Sequence, residues 1–509
     1  METNVPAAEK PANNLGVWIV TLLTAAVHLA VAGRYDIFRN ELYFIVCGWR
    51  PDFGYADQPP LVPLIAAATQ HFGENVWLLR LPAVIAAAAL VPVTASLARM
   101  FGGGNKAALF AAIAAAIAPA LMALMGILTT ETFEPIAWTV CAALVAHAVV
   151  RENRTALIWA GIAAGLGMEA KYGMAIWLIG LVAGIVLTSA RRILAWRECW
   201  IGVALAVLIS APSLIWQTLN GWPFLAVIGH HATAHSNFTG TPVRFEIIQT
   251  LAMNIVLAPL WLAGVIAPFV SSRLAPARFL SITFVVATAI VIVTGGKDYY
   301  LFAAYPVMFA VGAAAFSDVP GWFAGVWMTS AVLQSLILTP VMLPVFTPDH
   351  LARYLDRTHL RPPPNETAAV GAPLTQVYSD ELGWRALEKQ VADIYRALPA
   401  NERAHAAILA SNYGEAAAID VYGRKDGLPP ALSGQNQYWL WGARNYDGSV
   451  IIHVNGDPDR WRGLCNSVTV AGQFGAPYAM PYENNRPIFI CRGLHMPLST
   501  LWPHLKRYQ

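Results

Sequence analysis

One stretch, RNELYFIVCGWRPDFGYADQPPLVPL from Arg39 to Leu64, gathers Arg39, Asn40, Glu41, Arg50, Asp52 and Asp57 beside an apolar run. Arg80 follows in LLRLPA, Glu131 and Glu134 in LTTETFEP, Lys171 in GMEAKYG, and Lys297 with Asp298 in TGGKDYY. Taken singly, a charge at the end of an apolar run is an interface anchor, and Arg39 and Arg50 read that way. Taken together they form a set of carboxylates and cations at one membrane depth, which suits an anionic lipid headgroup. Arg80, Lys171 and Lys297 would neutralise a phosphate, while Glu41 or Asp57 would move a proton. The Pro59-Pro60 pair, with Tyr43, Trp49, Phe53 and Tyr55 in the same loop, predicts an ordered segment skimming a membrane rather than slack chain.

The elements that must position these groups are apolar. The 509-residue chain is 57% hydrophobic and 12% charged, against about 25% charged in soluble chains. A net charge of +3 is too small to argue for nucleic acid. About eleven runs reach membrane-spanning length, from Leu15–Ala32 to Trp322–Val345, which predicts a multi-pass α-helical membrane domain over residues 15–345. Arg99, Lys106, Arg151, Arg154, Arg191, Arg192, Arg197, Arg273 and Arg278 share one side, cytoplasmic by the positive-inside rule. The tail 1–14 then lies inside. The first loop 33–79 and the chain after Phe346 lie outside. His28, alone in the first run, reads as a helix-contact residue.

After Phe346 the texture turns polar. The Pro-rich LRPPPNETAAVGAP marks 346–373 as a linker. Strand-like AHAAILAS, SVIIHVNG, SVTVAGQF and RPIFICRG, with an amphipathic YSDELGWRALEKQVADIYRAL, predict a periplasmic α/β domain over 374–509. Ligands favour the carboxyl ends of strands, pointing to Ser411, Asn412, Tyr413 and Glu415; the same residues could instead cap the next helix. SGQNQYWLWG suits stacking on a sugar or packing against the membrane domain. Cys465 and Cys491 fall where disulfides persist. His231 and His235 share a metal-ligand spacing if their loop is helical. No Gly-rich nucleotide loop is present, so no nucleotide cofactor is expected.

NELYF (Asn40–Phe44), GYADQPPL (Gly54–Leu61) and LLRLPA (Leu78–Ala83) resemble the protein O-mannosyltransferase and aminoarabinose-transferase superfamily of GT-C membrane glycosyltransferases. Glu134 falls on a second acidic position of that family and Lys171-Tyr172 on its basic-aromatic pair. SNYGEA, LSGQNQYWLWG and MPYEN resemble the tail of a bacterial subgroup. The resemblance implies a bacterial inner-membrane enzyme that moves a sugar from a polyprenyl-phosphate donor to a lipid, glycan or protein hydroxyl, with inversion. Tyr43, Tyr55, Gln58, Glu134, Tyr172 and Asp298 would line the substrates. An Mg²⁺ or Mn²⁺ ion among the carboxylates would suit their oxygen ligands. The family's acidic pair begins with Asp, and Asn40 stands there. An amide cannot take a proton at neutral pH. Three readings follow: Glu41 reaches the acceptor, Asp57 or Glu134 serves instead, or the protein binds carrier lipid without transfer. A transporter or flippase is the alternative from another class; no internal repeat supports it.

Overall fold

The computed structural model describes residues 14–233, 241–362 and 369–508. Among these, five helices are long and apolar enough to cross a membrane: Val76–Met100, Glu131–Arg151, Arg197–Leu219, Ala275–Val293 and Gly321–Met342. Two bent pairs, Met174–Val186 with Ser189–Ala195 and Pro242–Ala252 with Ile255–Val270, raise the count to seven. Leu15–Val31, Asn105–Ile117 and Ala156–Ala170 are apolar but shorter. The count of about eleven is therefore not reached by full-length helices. Two causes are visible in the chain. The run 106–125 breaks at Ala118, before Pro119 opens a new helix, because proline cannot continue the ladder it enters. The run 300–316 begins as a 3₁₀ turn, Asp298–Ala304, before Tyr305–Ala315 becomes α-helical.

The membrane core is alanine-rich, with Trp138 stacked on Trp177 at 5.2 Å. Leu208, Val270, Val293 and Trp322 stay exposed, as lipid-facing side chains do. Lipid tails give helices no hydrophobic reason to associate, so close backbone approach supplies it. Helix Ala258–Val270 crosses Tyr305–Ala315 in this way: a Cβ on Gly312 would stand 1.8 Å from the Leu260 carbonyl oxygen. Gly312→Val is expected to cost about 1–3 kcal/mol through overpacking, read as a lower thermal midpoint of the protein in detergent. His28 is buried in the first helix, as a contact residue should be.

The loop after the first helix is ordered by a different partner than the membrane expected from its aromatics. Its helix, Arg39–Gly48, is buried from Glu41 through Gly48, because the C-terminal domain covers it. Leu42, Tyr43, Ile45, Val46 and Tyr55 share one core with Trp384, Val391, Ala417 and Tyr438. Polar ties surround that core. Arg385 pairs with Asp36 at 2.9 Å, Lys425 with Glu74 at 3.1 Å, and the Tyr422 hydroxyl donates to Asp36 at 2.9 Å.

The C-terminal domain holds a five-stranded mixed sheet in the order β2-β1-β3-β5-β4. Its strands are β1 Ala406–Ala410, β2 Leu432–Ser433, β3 Val450–Val454, β4 Cys465–Phe474 and β5 Arg486–Leu494. The first three are parallel, and β5 runs antiparallel to β3 and β4. The four strands expected from the sequence are present. The amphipathic segment starts its helix later, at Trp384, because Gly383 turns the chain at φ 99. Within the stretch expected as linker, Pro348–Thr358 is a helix that buries Leu351 and Leu355 against Tyr35 and Tyr378. Cys465 and Cys491 form a disulfide between β4 and β5.

Candidate functional site

Three polar clusters arise where the loop, the helix ends and the C-terminal domain meet. The first is centred on Arg80. Glu41 sits in the first turn of Arg39–Gly48, where its carboxylate accepts the orphan Phe38 N–H at 2.8 Å. It also accepts the Leu128 N–H at 2.8 Å and Arg80 through Nε at 3.0 Å and Nη2 at 2.9 Å. Arg80 gives its remaining contacts to the Ala32 and Asp36 carbonyls and to Glu381 Oε2, each at 2.8–2.9 Å. Glu41 was expected as a base and Arg80 as a phosphate ligand. The geometry corrects both: the carboxylate is filled by four donors, the guanidinium is spent, and both groups are wholly buried. They form a joint holding the loop helix, the second membrane helix and the C-terminal domain. Burial, and then the nearby Glu41 charge, raise the Glu381 pKa to about 8, with Arg80 opposing.

The second cluster is centred on Asp57, in the turn GYADQPP. Tyr43 donates its hydroxyl to Oδ1 at 2.9 Å, and Asn436 of the C-terminal domain donates Nδ2 to Oδ2 at 2.9 Å. The Gln437 N–H donates to Tyr43 at 3.1 Å, and its side-chain oxygen accepts the Ala56 N–H at 2.9 Å. Asp57 is half-buried. Burial lifts its pKa to about 6 against the hydrogen bonds that favour the carboxylate. That value suits a general base near neutral pH. Asn40 lies alongside, its Oδ1 accepting the Tyr413 hydroxyl at 2.8 Å, and the Tyr413 ring packs on Tyr43 at 4.7 Å. Tyr55 and Gln58, expected to line substrate, instead set the turn. Tyr55 donates to the Cys47 carbonyl at 2.8 Å, Gln58 reaches the Cys47 sulfur at 3.9 Å, and both are buried.

The third cluster surrounds Lys171. Its Nζ lies 3.1 Å from both Glu131 and Glu134, over the rings of Tyr300 at 4.8 Å and Tyr299 at 5.4 Å. Lys297 shares the Tyr299 ring at 5.9 Å, and the neighbouring Asp298 anchors its turn by accepting Gln249 Nε2 on its carbonyl at 2.7 Å. Tyr172 packs edge-on against Phe224 at 4.7 Å. The Phe224 N–H donates to Gln217, which in turn donates to the Tyr55 carbonyl at 2.8 Å. A chain of contacts thus joins this cluster to the Asp57 turn. Beside it runs a groove of about 560 Å³, lined by Phe72, Leu78, Leu81, Ile85, Phe133 and Ile136 among others. Phe133 and Ile136 flank Glu134 in sequence, but the lining of the groove is apolar and contains none of the charged groups of the Lys171 cluster.

Among the described residues, no three His, Cys, Asp or Glu side chains are grouped to hold a metal ion. Glu131 and Glu134 both engage the Lys171 ammonium at 3.1 Å. His235 lies outside the described residues, so its pairing with His231 is not placed.

Of the C-terminal candidates, Asn412 and Glu415 cap the helix Tyr413–Tyr422: Asn412 Oδ1 accepts the Glu415 N–H at 2.9 Å, and Glu415 accepts the Ser411 N–H at 2.8 Å. Ser411 donates its hydroxyl to the Asn455 carbonyl at 2.7 Å. The ligand reading of these three gives way to capping and strand-end roles, whereas Tyr413 turns to the loop. Gly414 permits that approach, since a Cβ there would stand 2.5 Å from Arg39 Cγ. Arg39, expected as an anchor, donates to Tyr482 and pairs with Asp380 at 3.6 Å. Asn436, Gln437 and Glu381 were missed as site residues. The amide-rich QNQ in the tail was the signal for the first two, and nothing local marked Glu381.

A profile of the family described as dolichyl-phosphate-mannose-protein mannosyltransferase matches residues 57–216, which begin at Asp57 and include Glu134 and Lys171. No curated protein sequence matches the chain. Among solved structures, the fold is similar to ArnT from Cupriavidus metallidurans in the apo state, with TM-score 0.62 and 14% identity over 94% of this chain and 98% of that one. The same protein bound to undecaprenyl phosphate gives 0.60 and 13% over the same shares. The arabinofuranosyltransferase AftD from Mycobacteria gives 0.54 and 14%, covering 95% of this chain and 40% of that one. The chain has a GT-C fold and resembles these transferases in architecture.

Proposed function

We propose that this chain is an inverting glycosyltransferase, moving a sugar from a polyprenyl-phosphate carrier to an acceptor hydroxyl at the outer face of a bacterial inner membrane. The observation that carries the reading is a half-buried carboxylate, Asp57, held by the neutral donors Tyr43 and Asn436 and tied through Gln217 to the Lys171 cluster, in a fold similar to that of lipid-linked sugar transferases. The groove takes the first prenyl units, and Lys171 with Lys297 faces the phosphate. An ammonium has three donors, and the two carboxylates engage two of them. Asp57 takes the acceptor's proton as its oxygen attacks the anomeric carbon from the face opposite the phosphate. The sugar–phosphate bond breaks, and the carrier leaves as polyprenyl phosphate. A phosphate leaves without the strong general acid that a glycosidase needs, so neutralising it and excluding water are the remaining tasks.

The related structure bound to undecaprenyl phosphate supports the donor class. Basic residues on the opposite loops, together with the Cys465–Cys491 disulfide, support the outward placement of the C-terminal domain.

Lys171→Met is expected to weaken binding of undecaprenyl phosphate in nanodiscs about tenfold or more, the loss of one charge-assisted contact, while Lys171→Arg retains it. The reaction itself is tested by mass spectrometry of envelope glycans and lipids from cells with and without the protein. Loss of one glycosylated product with accumulation of its carrier-linked sugar supports transfer. Carrier binding without any lost product would make the chain a lipid-binding pseudo-enzyme, and ion-coupled flux would make it a transporter.

A further inference from the structure

We infer that the C-terminal domain completes the catalytic carboxylate: Asn436 is a positioning residue that aims Asp57 and keeps it ionised, so the base is assembled only where the two domains meet. This rests on the reading of Asp57 as base. The geometry is specific. Asn436 is 1% exposed, opens the short helix Asn436–Leu440, and fixes its own backbone by donating its N–H to the Arg507 carbonyl at 3.0 Å. Its backbone sits at φ 48, in the left-handed region that Asn tolerates better than most residues. That conformation directs Nδ2 onto Asp57 Oδ2, while the next residue, Gln437, holds Tyr43, the other donor to the same carboxylate. Two donors from two domains therefore occupy one lone pair on each oxygen. The backbone N–H of Asp57 itself adds a third neutral donor to the carboxylate.

The titratable groups that face Asp57 are Tyr43 and Cys47 of the loop helix and Tyr508 of the C-terminal segment. All three are weak acids whose pKa is raised, so they stay neutral across the range in which Asp57 titrates. Removing the Asn436 donor withdraws stabilisation from the carboxylate and moves its titration upward.

Asn436→Gly is the clean deletion, because glycine adopts φ 48 without strain. Asn436→Asp also tolerates that backbone and sets a second carboxylate against the first. The full-length protein in nanodiscs is titrated by infrared difference spectroscopy, with the Asp57 carboxyl band isolated by subtracting the Asp57→Asn spectrum. Asn436→Gly is expected to raise the Asp57 midpoint by about one pH unit, the worth of one hydrogen bond to a charged group, and Asn436→Asp by more. The acidic limb of sugar transfer should move with it, whereas a merely structural role would lower transfer equally at every pH. Midpoints unmoved in both variants overturn the inference. A shifted midpoint together with undiminished transfer by Asp57→Asn would retain the domain coupling and reject Asp57 as base.

Discussion

Asp57→Asn is expected to reduce sugar transfer by about 10²–10⁴, the usual contribution of a general base, while binding of undecaprenyl phosphate stays within a few-fold of the native protein. The separation follows from the layout. The Lys171 cluster is built from membrane helices and the Asp298–Ala304 turn, the groove from membrane helices and the end of the Leu61–Thr69 helix, and Asp57 lines neither, being linked to the cluster through Tyr55 and Gln217. The substitution keeps the size of the side chain and its acceptor toward Tyr43, but places an amide donor against the Asn436 donor. Asp57→Ser, too short to reach either, should lose transfer as well and so controls for that clash. In the native protein, transfer should rise from acid pH through about 6, because Asp57 must be ionised to accept a proton and its carboxyl titrates there. Transfer that survives in both variants, or that shows no acidic limb, removes Asp57 from the mechanism. Glu41 makes the contrast. Glu41→Gln keeps the shape but swaps an acceptor for an amide that opposes Arg80, so its effect should be read in folding yield before activity.

The acids were legible in the sequence as a set; their separate roles were not. NELYF and GYADQPPL mark Glu41 and Asp57 equally, and nothing in either motif says that one is saturated. That difference is made by donors distant in the chain: Leu128, Arg80 and, beyond Arg80, Glu381 for the first, and Asn436 for the second. Asp57 is held by neutral donors, whereas the Glu41 carboxylate is filled by a guanidinium and two backbone N–H groups. The four longer strands were legible because they are bounded apolar or β-rich runs, while the two-residue β2 carries no period to detect. Apolar runs located the membrane helices but not the breaks within them. Hydropathy does not register where a proline opens a new helix or where a turn stays 3₁₀. SNYGEA was ambiguous for a related reason. A residue at a strand's carboxyl end can meet a ligand or cap the following helix, and the Asn412–Glu415 pair does the second.

Arg80→Met is expected to destabilise the protein by about 3–5 kcal/mol, the cost of leaving buried charge without its partner. The guanidinium lies between two carboxylates, 2.9 Å from Glu41 Oε2 and 2.9 Å from Glu381 Oε2, and all three groups are excluded from solvent. Methionine fills much of the volume but leaves both acids facing one another across the junction of the domains. The consequence is local before it is global: the C-terminal domain should loosen from the loop helix, seen as proteolysis after Thr358 and as faster amide exchange over Arg39–Gly48. The pH dependence identifies the cause. Glu381 titrates near 8 in the folded protein against an ordinary value of 4.5, so the folded state holds its proton more tightly than the unfolded chain. Its contribution to stability is complete below about 4.5 and is lost as pH rises through about 8. The thermal midpoint in detergent should therefore fall across that window, and Glu381→Gln, neutral at every pH, should flatten the fall. Without Arg80 to oppose it, burial holds the Glu381 proton to still higher pH, so in Arg80→Met the fall should extend above about 8, and Arg80→Met combined with Glu381→Gln should recover part of the loss. A uniform loss at all pH values, unaffected by Glu381→Gln, would mean that Arg80 contributes packing alone and that the two domains are held together elsewhere.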